Sequence, residues 1–272
     1  MGATGMIPDE VARLRFPRPT RDADVSDEVR TLIFHYHLFK NAGTSVDEML
    51  KRNFGVQWVN REFRISRQAN KLAVAEFVRR ECLRVRAISS HTALLPAPRI
   101  QGLEIFPIIF VRHPIDRLRS AYEFERLQVA NTPGSQLAKR LDFAGYVREL
   151  LRRNHRQVNN FQTFRLALNE QPSEGEGRLN ALRTLQALPF VGLVEAYEKS
   201  LYTLERLLRR PFPAFRATNT HLNAGQSRVA SLQERLALIE RQLGHELYEE
   251  VCGANQDDLA VFGFLEARYA CL

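Results

Sequence analysis

The chain has 272 residues, of which 44% are hydrophobic, so it is long enough to bury the core of one large α/β domain. Its formal net charge of +8 fits an anionic partner such as a nucleotide, a charged polymer, nucleic acid or a membrane surface. The cysteines are odd in number, far apart and without metal-ligand spacing, which argues against a disulfide framework and a zinc site: Cys82, Cys252 and Cys271.

No run of 18 apolar residues occurs in the sequence, so we expect no integral membrane segment. The N-terminus lacks the apolar core of a signal peptide. We therefore expect a cytoplasmic protein, or a soluble domain of a membrane-anchored parent.

The apolar pattern predicts strands that alternate with helices. Residues 1–30 lack periodicity and are expected to form an irregular arm, which leaves 31–272 as a single domain. In the first half of the chain the predicted elements are a strand from Thr31, a loop at 40–45, a helix from Val46, a strand at 56–59, a helix at 66–80, strands at 84–90 and 103–111, and a helix at 114–129. In the second half they are a loop at 131–134, a helix at 142–153 capped by Asp142, a linker at 171–177, a strand at 188–194, a helix at 197–209, an irregular stretch at 211–225, and helices at 229–243 and 245–252. This alternation is typical of an α/β fold, a three-layer α/β/α arrangement with a mostly parallel central sheet.

The first strand, its loop and the following helix are the most informative segment. A helix N-terminus after a glycine-containing turn offers unpaired backbone N–H groups and the positive end of the helix dipole, which suit an anionic ligand. In such a sheet the ligand lies at the carboxyl ends of the strands. Three predicted strands lead to Lys40, His91 and Arg112, so we expect these residues to line one pocket.

The loop differs from a nucleotide-binding P-loop, in which the lysine directly follows a glycine. Here Lys40 precedes Gly43 by three positions. A Mg-dependent kinase also needs a carboxylate for its metal, whereas the most apolar strand of this chain leads to Arg112. These differences favour a group transfer assisted by fixed cations, with no metal.

Residues 37–45, His-Leu-Phe-Lys-Asn-Ala-Gly-Thr-Ser, resemble the 5′-phosphosulfate loop of Golgi-type carbohydrate sulfotransferases, usually His-Ile-Pro-Lys-Thr-Gly/Ala-Gly-Thr-Ser. Residues 111–122 are similar to the 3′-phosphate motif of that family, Arg-Asp-Pro-x-x-Arg-x-x-Ser-x-Tyr, with the same spacing of eight residues between arginine and serine. Weaker similarity continues at 190–195, 200–201 and 246–249. The departures are Leu38-Phe39 for Ile-Pro, Asn41 for threonine or serine, and His113 for aspartate.

The resemblance implies a P-loop-like sulfotransferase fold and 3′-phosphoadenosine 5′-phosphosulfate (PAPS) as the donor. It implies that Lys40 stabilises the leaving oxygen and that Arg112 and Ser120 bind the 3′-phosphate. The remaining residues expected at the donor are Asn41, peripherally, Ala42, Gly43, Thr44 and Ser45 in the loop, and Ser227 and Arg228 in a late loop. The alternative for Thr44 and Ser45 is helix capping, and for Ser120 a polar helix position.

His91 is the predicted general base, because it ends a strand at the same sheet edge and the family places a histidine or glutamate in a comparable region. The alternative for His91 is a packed loop histidine. For His37 we prefer a packing residue at the end of a strand, and for His113 a packing residue at the start of a helix. Nothing in the sequence singles out His35, His155, His221 or His245. The expected acceptor is a carbohydrate or another hydroxyl compound, for which an anionic glycan fits the basic charge. We expect residues 131–140 and 216–228 to select it.

Three other functions stay open: a P-loop-like nucleotide kinase, a catalytically inactive nucleotide-binding relative, and a nucleic-acid-binding protein. The kinase predicts dependence on Mg²⁺, for which we find no pair of ligand residues in the sequence. The nucleic-acid hypothesis predicts a known binding motif or interleaved basic and aromatic residues, and neither is found. Nucleic acid is therefore not an expected partner.

Overall fold

The computed structural model describes residues 29–63, 66–167, 176–217 and 230–271. The predicted arm lies outside these ranges except for its last two residues, and Arg30 already begins the first strand. Ser227 and Arg228, which the resemblance places at the donor, also lie outside the described residues, as does His221.

The strands of the described residues pair in parallel. They are β1 (Arg30–Tyr36), β2 (Trp58–Asn60), β3 (Ala87–Ser90), β4 (Leu103–Ile108), β5 (Phe110–Val111) and β6 (Gly192–Leu193). The first four form one sheet in the order β2-β3-β1-β4, and β5 pairs with β6 in a second sheet. Every pairing between these strands is parallel, which confirms the predicted α/β class and the mostly parallel central sheet.

Helices make up most of the remaining described chain. They are α1 (Gly43–Phe54), α2 (Arg67–Glu81), α3 (Pro114–Leu127), α4 (Pro133–Arg140), α5 (Phe143–Arg152), α6 (Phe161–Leu166), α7 (Gly177–Ala187), α8 (Tyr197–Leu208), α9 (Leu232–Leu243), α10 (His245–Ala254) and α11 (Gln256–Ala270). None of the helices within the described ranges has both the length and the apolar character needed to cross a membrane.

The alternation of side chains along β1 divides the core between the two faces of the sheet. Leu32 and Phe34 pack in a cluster with apolar residues of α2, α7 and α11. Ile33 packs in a second cluster with residues of α1 and α8. A third cluster joins α3, α4, α5, α9 and α10. Helices therefore cover the sheet on both sides.

The long strand predicted at 103–111 is divided at Ile109 between the two sheets. Up to Ile108 the chain pairs with β1, and the carbonyl of Ile109 then accepts the N–H of Gly192 at 2.8 Å. Pro107 lies opposite Phe34 on β4, an edge strand of the larger sheet, where a residue without an N–H is tolerated.

The prediction of a loop at 131–134 is wrong from Pro133 onward. Thr132 caps α4 by accepting the N–H of Ser135, and Pro133 occupies the first turn. Most of the predicted acceptor loop at 131–140 is therefore helix. The predicted strands at 84–90 and 188–194 shorten to β3 and β6, and α6, α7 and α11 are additional helices. The predicted cap at Asp142 is confirmed, since its carboxylate accepts the N–H of Gly145 at 2.8 Å.

Candidate functional site

The loop between β1 and α1 has a strained backbone. Lys40 and Ala42 have φ angles of 64° and 60°, in the left-handed region that residues other than glycine seldom adopt. Such conformations persist where the surrounding structure holds them, and they concentrate at ligand sites. The loop thus has the backbone signature of a binding site.

The start of α1 is not closed by a capping side chain within the described part of the chain. Thr44 is exposed and Ser45 is buried, and both lie inside the helix, so the capping alternative for these two residues is wrong. The Ser45 N–H donates to the Ala42 carbonyl at 3.0 Å. This N–H group is therefore already hydrogen-bonded, whereas the sequence predicts it as an unpaired donor.

Gly43 is required by a close packing contact. A Cβ atom at this position would lie 2.0 Å from both Cδ2 and Nε2 of the His37 ring. The ring therefore rests directly on the backbone at the start of α1, and only glycine leaves room for it.

Asn41 fastens the loop to the interior and is not peripheral as predicted. It is 1% exposed, and its amide donates to the Phe110 carbonyl at 2.8 Å and to Gln162 Oε1 at 2.7 Å. Gln162 also exchanges two hydrogen bonds with the backbone of Arg112, at 2.9 and 2.8 Å. Asp258 in turn accepts the backbone N–H groups of Gln162 and Thr163. Asn41 therefore acts as a structural link between the loop and the strand that leads to Arg112.

Lys40 and Arg112 come together as the sequence predicts. The guanidinium of Arg112 donates from Nη1 to the Lys40 carbonyl at 3.1 Å. The ammonium of Lys40 lies 4.6 Å from the centre of the Phe124 ring. Burial and the nearby Arg112 charge lower the pKa of Lys40. The two cationic motifs are thus parts of one site.

Asp116 holds two arginines at this site, one of which the sequence gives no reason to expect. Its carboxylate accepts from Arg112 at 2.9 and 2.7 Å and from Arg235 at 2.9 and 3.1 Å. Burial opposes ionisation of Asp116, but the two guanidinium groups outweigh it and hold its pKa below the usual range. The three groups keep a net positive charge. Ser120, one helical turn after Asp116, is partly exposed.

Glu195 is a buried carboxyl group next to this cluster. Its Oε1 accepts the backbone N–H of His113 at 2.8 Å, and burial raises the pKa of Glu195 to about 7. His113 itself is buried with its ring against Phe262, and burial lowers the pKa of His113 to about 4. His113 is therefore a packing residue, as we expect from the sequence.

Three histidines from β1 and the end of β3 form a stack. His91 lies on His37 with ring centres 3.8 Å apart, and His37 lies 5.2 Å from His35. Asp47, in the first turns of α1, accepts from Nδ1 of His35 at 2.7 Å and from Nδ1 of His37 at 2.9 Å. Because His37 also touches Gly43, the stack joins His91 to the loop.

From the sequence, His35 has no expected role and His37 is expected only to pack at the end of a strand, although residues two apart along a strand share one face. Burial lowers the pKa of His37, although the hydrogen bond to Asp47 acts in the opposite direction. Burial opposes ionisation of Asp47, but the two histidines outweigh it and hold the pKa of Asp47 well below its usual range. The cluster therefore carries an ionised carboxylate beside the rings of His35 and His37.

The distances within this cluster would allow a metal ion. Among the described residues, His35, His37 and Asp47 offer ligand atoms within 4.8 Å of one another. Both Nδ1 atoms, however, already bond to Asp47, and Nδ1 of His35 also lies 3.3 Å from the Ser89 hydroxyl. A metal would have to break these hydrogen bonds to bind.

The chain is similar to a protein of Archaeoglobus fulgidus that is described as an uncharacterized protein. The two are 40% identical over 246 residues, which cover 86% of this chain and 95% of the relative. The chain belongs to the family of this archaeal protein. No family model matches the chain. The aligned length spans most of both chains, so the similarity is not confined to one motif.

Proposed function

We propose that the protein is a PAPS-dependent sulfotransferase with a P-loop-like sulfotransferase fold, which moves a sulfuryl group to a hydroxyl of a carbohydrate or similar acceptor without a metal. The observation that carries this proposal is the hydrogen bond between Arg112 and the Lys40 carbonyl. It joins the two segments that resemble the 5′-phosphosulfate loop and the 3′-phosphate motif. The two motifs are separate in the sequence, and their contact supports a single donor site.

In this proposal the backbone N–H groups of Ala42, Gly43 and Thr44 cradle the 5′-phosphosulfate at the start of α1. The exposed Thr44 adds its hydroxyl, whereas the buried Ser45 supports the turn. Arg112 and Ser120 bind the 3′-phosphate through the guanidinium charge and a hydroxyl. The Nε and Nη2 groups of Arg112 stay on Asp116, which holds the guanidinium in place.

The transfer is an in-line displacement at sulfur. The acceptor oxygen forms a bond to sulfur while the bond from sulfur to the bridging oxygen breaks, and 3′-phosphoadenosine 5′-phosphate leaves. Negative charge develops on that bridging oxygen, where the ammonium of Lys40 stabilises it. The proton of the acceptor hydroxyl passes to His91, the proposed base.

The donor assignment is tested by thermal unfolding with 3′-phosphoadenosine 5′-phosphate and no metal, which should raise the melting temperature. Equal stabilisation by ATP with Mg²⁺ would instead favour the kinase alternative. Donor binding without transfer to any hydroxyl acceptor, in a screen with labelled PAPS, would favour the inactive relative.

Arg112→Ala should weaken binding of 3′-phosphoadenosine 5′-phosphate by about 1.5 to 3 kcal/mol, the value of a lost charged hydrogen bond. Adenosine 5′-phosphate, which lacks the 3′-phosphate, should bind the variant and the wild type alike. Asp116 keeps its bonds to Arg235 in the variant, so the fold should persist.

The matched control is Arg52→Ala, which removes an exposed arginine that pairs with the glutamate four residues earlier, Glu48, in α1. Calorimetric titration of both variants with both nucleotides decides the point. Equal losses for the two nucleotides in Arg112→Ala would show that Arg112 is structural.

A further inference from the structure

Glu62 contacts both the ring and the backbone of His91, the proposed general base. It follows β2, and its Oε1 lies 2.9 Å from Nδ1 of His91 and accepts the backbone N–H of His91 at 3.1 Å. One carboxylate oxygen therefore sets both the position and the rotation of the imidazole. A surface ion pair without a role would not need the second bond.

The other oxygen of the Glu62 carboxylate is also held by hydrogen bonds. This oxygen, Oε2, accepts the hydroxyls of Thr92 at 2.6 Å and Ser90 at 3.4 Å. Burial opposes ionisation of Glu62, but the hydrogen bonds from Thr92 and His91 outweigh burial and hold the pKa of Glu62 below its usual range. The group that meets His91 is therefore a fixed, ionised carboxylate.

One face of the His91 ring is covered by another ring, and part of the side chain is exposed to solvent. His37 stacks on it with an interplanar angle of 27°, and 43% of the His91 side chain remains exposed. Among the described residues, Nδ1 is the ring nitrogen of His91 that takes part in hydrogen bonding. Nε2 is thus the nitrogen that can meet a substrate.

We propose that Glu62 is the positioning residue of the general base. It fixes the proton of His91 on Nδ1 and so presents the lone pair of Nε2 to the acceptor hydroxyl. This inference rests on the proposed sulfuryl transfer. As the acceptor O–H bond breaks and the O–S bond forms, the proton moves to Nε2, and the resulting imidazolium is paired with the carboxylate of Glu62. The histidine returns the proton to solvent after the product leaves. The logic is that of an aspartate behind a catalytic histidine in a hydrolase triad.

The test compares Glu62→Gln with Glu240→Gln. Glu240 also lies 3.1 Å from a histidine, His245, but this pair is exposed on α9 and α10, away from the site. Glu62→Gln should lower kcat roughly 10- to 100-fold, less than the roughly 10²- to 10⁴-fold that a positioned base contributes, because His91 itself remains. It should leave the Kd for 3′-phosphoadenosine 5′-phosphate unchanged. Glu240→Gln should leave both unchanged.

A second readout separates positioning from mere support of the fold. Without the carboxylate, the imidazolium loses its counter-charge, so the acidic limb of the kcat/KM profile should move to lower pH in Glu62→Gln. In the background of His91→Gln, the change at Glu62 should cost nothing more, because the two residues act as a unit. Wild-type kcat in Glu62→Gln, or an additive loss in the double variant, would overturn the proposal.

A third readout does not depend on turnover. The ¹⁵N resonances of the imidazoles, with His91 assigned by comparison with His91→Gln, should show His91 protonated on Nδ1 at alkaline pH in the wild type. A wild-type ring protonated on Nε2 would overturn the role of Glu62. Failure of the wild type to bind 3′-phosphoadenosine 5′-phosphate would instead overturn the proposed function, so the two failures are distinguishable.

Discussion

Gly43→Ala tests the contact on which the whole histidine stack rests. The new Cβ would lie 2.0 Å from Cδ2 and Nε2 of His37. Carbon atoms pack at about 3.5 to 4.0 Å, so the ring must retreat by roughly 1.5 Å. His37 is not free to do so, because it bonds to Asp47 on one side and stacks on His91 on the other.

The expected cost follows from these restraints. Overpacking of a tight site costs about 1 to 3 kcal/mol, and a lost hydrogen bond to a charged group about 1.5 to 3 kcal/mol. The better helix propensity of alanine returns up to about 1 kcal/mol. We therefore expect Gly43→Ala to lower the free energy of unfolding by about 2 to 4 kcal/mol.

Urea unfolding measures this change by linear extrapolation. The matched control is Gly263→Ala in α11, where an added Cβ has no atom within 4 Å; it should stabilise the protein by about 0.5 to 1 kcal/mol. The contact with His37 is tested directly by combining Gly43→Ala with His37→Ala, since the smaller side chain makes room and the glycine change should then cost little. If Gly43→Ala were as stable as Gly263→Ala, the packing argument would be refuted.

Two further predictions concern charge at the site. Burial raises the pKa of Glu195 from 4.5 to about 7. The stability that the protonated carboxyl group contributes is therefore complete below pH 4.5 and is lost as the pH rises through 7, a loss of about 3 kcal/mol. Urea unfolding at pH 5 and pH 8 should show this loss in the wild type but not in Glu195→Gln. Lys40→Ala should lower kcat about 10²- to 10³-fold, because in the proposed transfer the charge of Lys40 acts on the leaving oxygen. Binding of 3′-phosphoadenosine 5′-phosphate should weaken far less, as single-turnover rates and calorimetry would show. A loss confined to binding would contradict this role.

Local signals account for the parts of the fold that the sequence predicts well. The break from an apolar run into a glycine-containing turn and a helical pattern fixes β1 and α1, and Asp142 marks the start of α5. Pro133 is compatible with either a turn or a helix, since proline is common at the start of both. Thr132 as a cap decides for the helix α4. In α11, the buried residues Val261, Leu265 and Tyr269 lie four apart, a helical spacing that sequence analysis could have used.

The partners of the site residues could not be predicted in the same way. Asn41 meets Gln162 across 121 positions, and Asp116 meets Arg235 across 119. No period or motif links residues so far apart; only the packing of α6 and α9 brings them together. The rule that strand ends converge predicts that Lys40 and Arg112 share an edge, but it says nothing of what holds them there.

The strained loop has two supports, and they share no side chain. On the side of the proposed donor, Asn41 and Gln162 tie it to the backbone of Arg112. On the side of the proposed acceptor, Gly43 packs against His37, which stacks on His91. Loss of Glu62 should therefore leave the contacts of Asn41 and Gln162 intact, whereas a change at Gly43 alters the start of α1 and the position of His91 together. If the proposed function is correct, donor binding and turnover should for this reason respond separately to these changes.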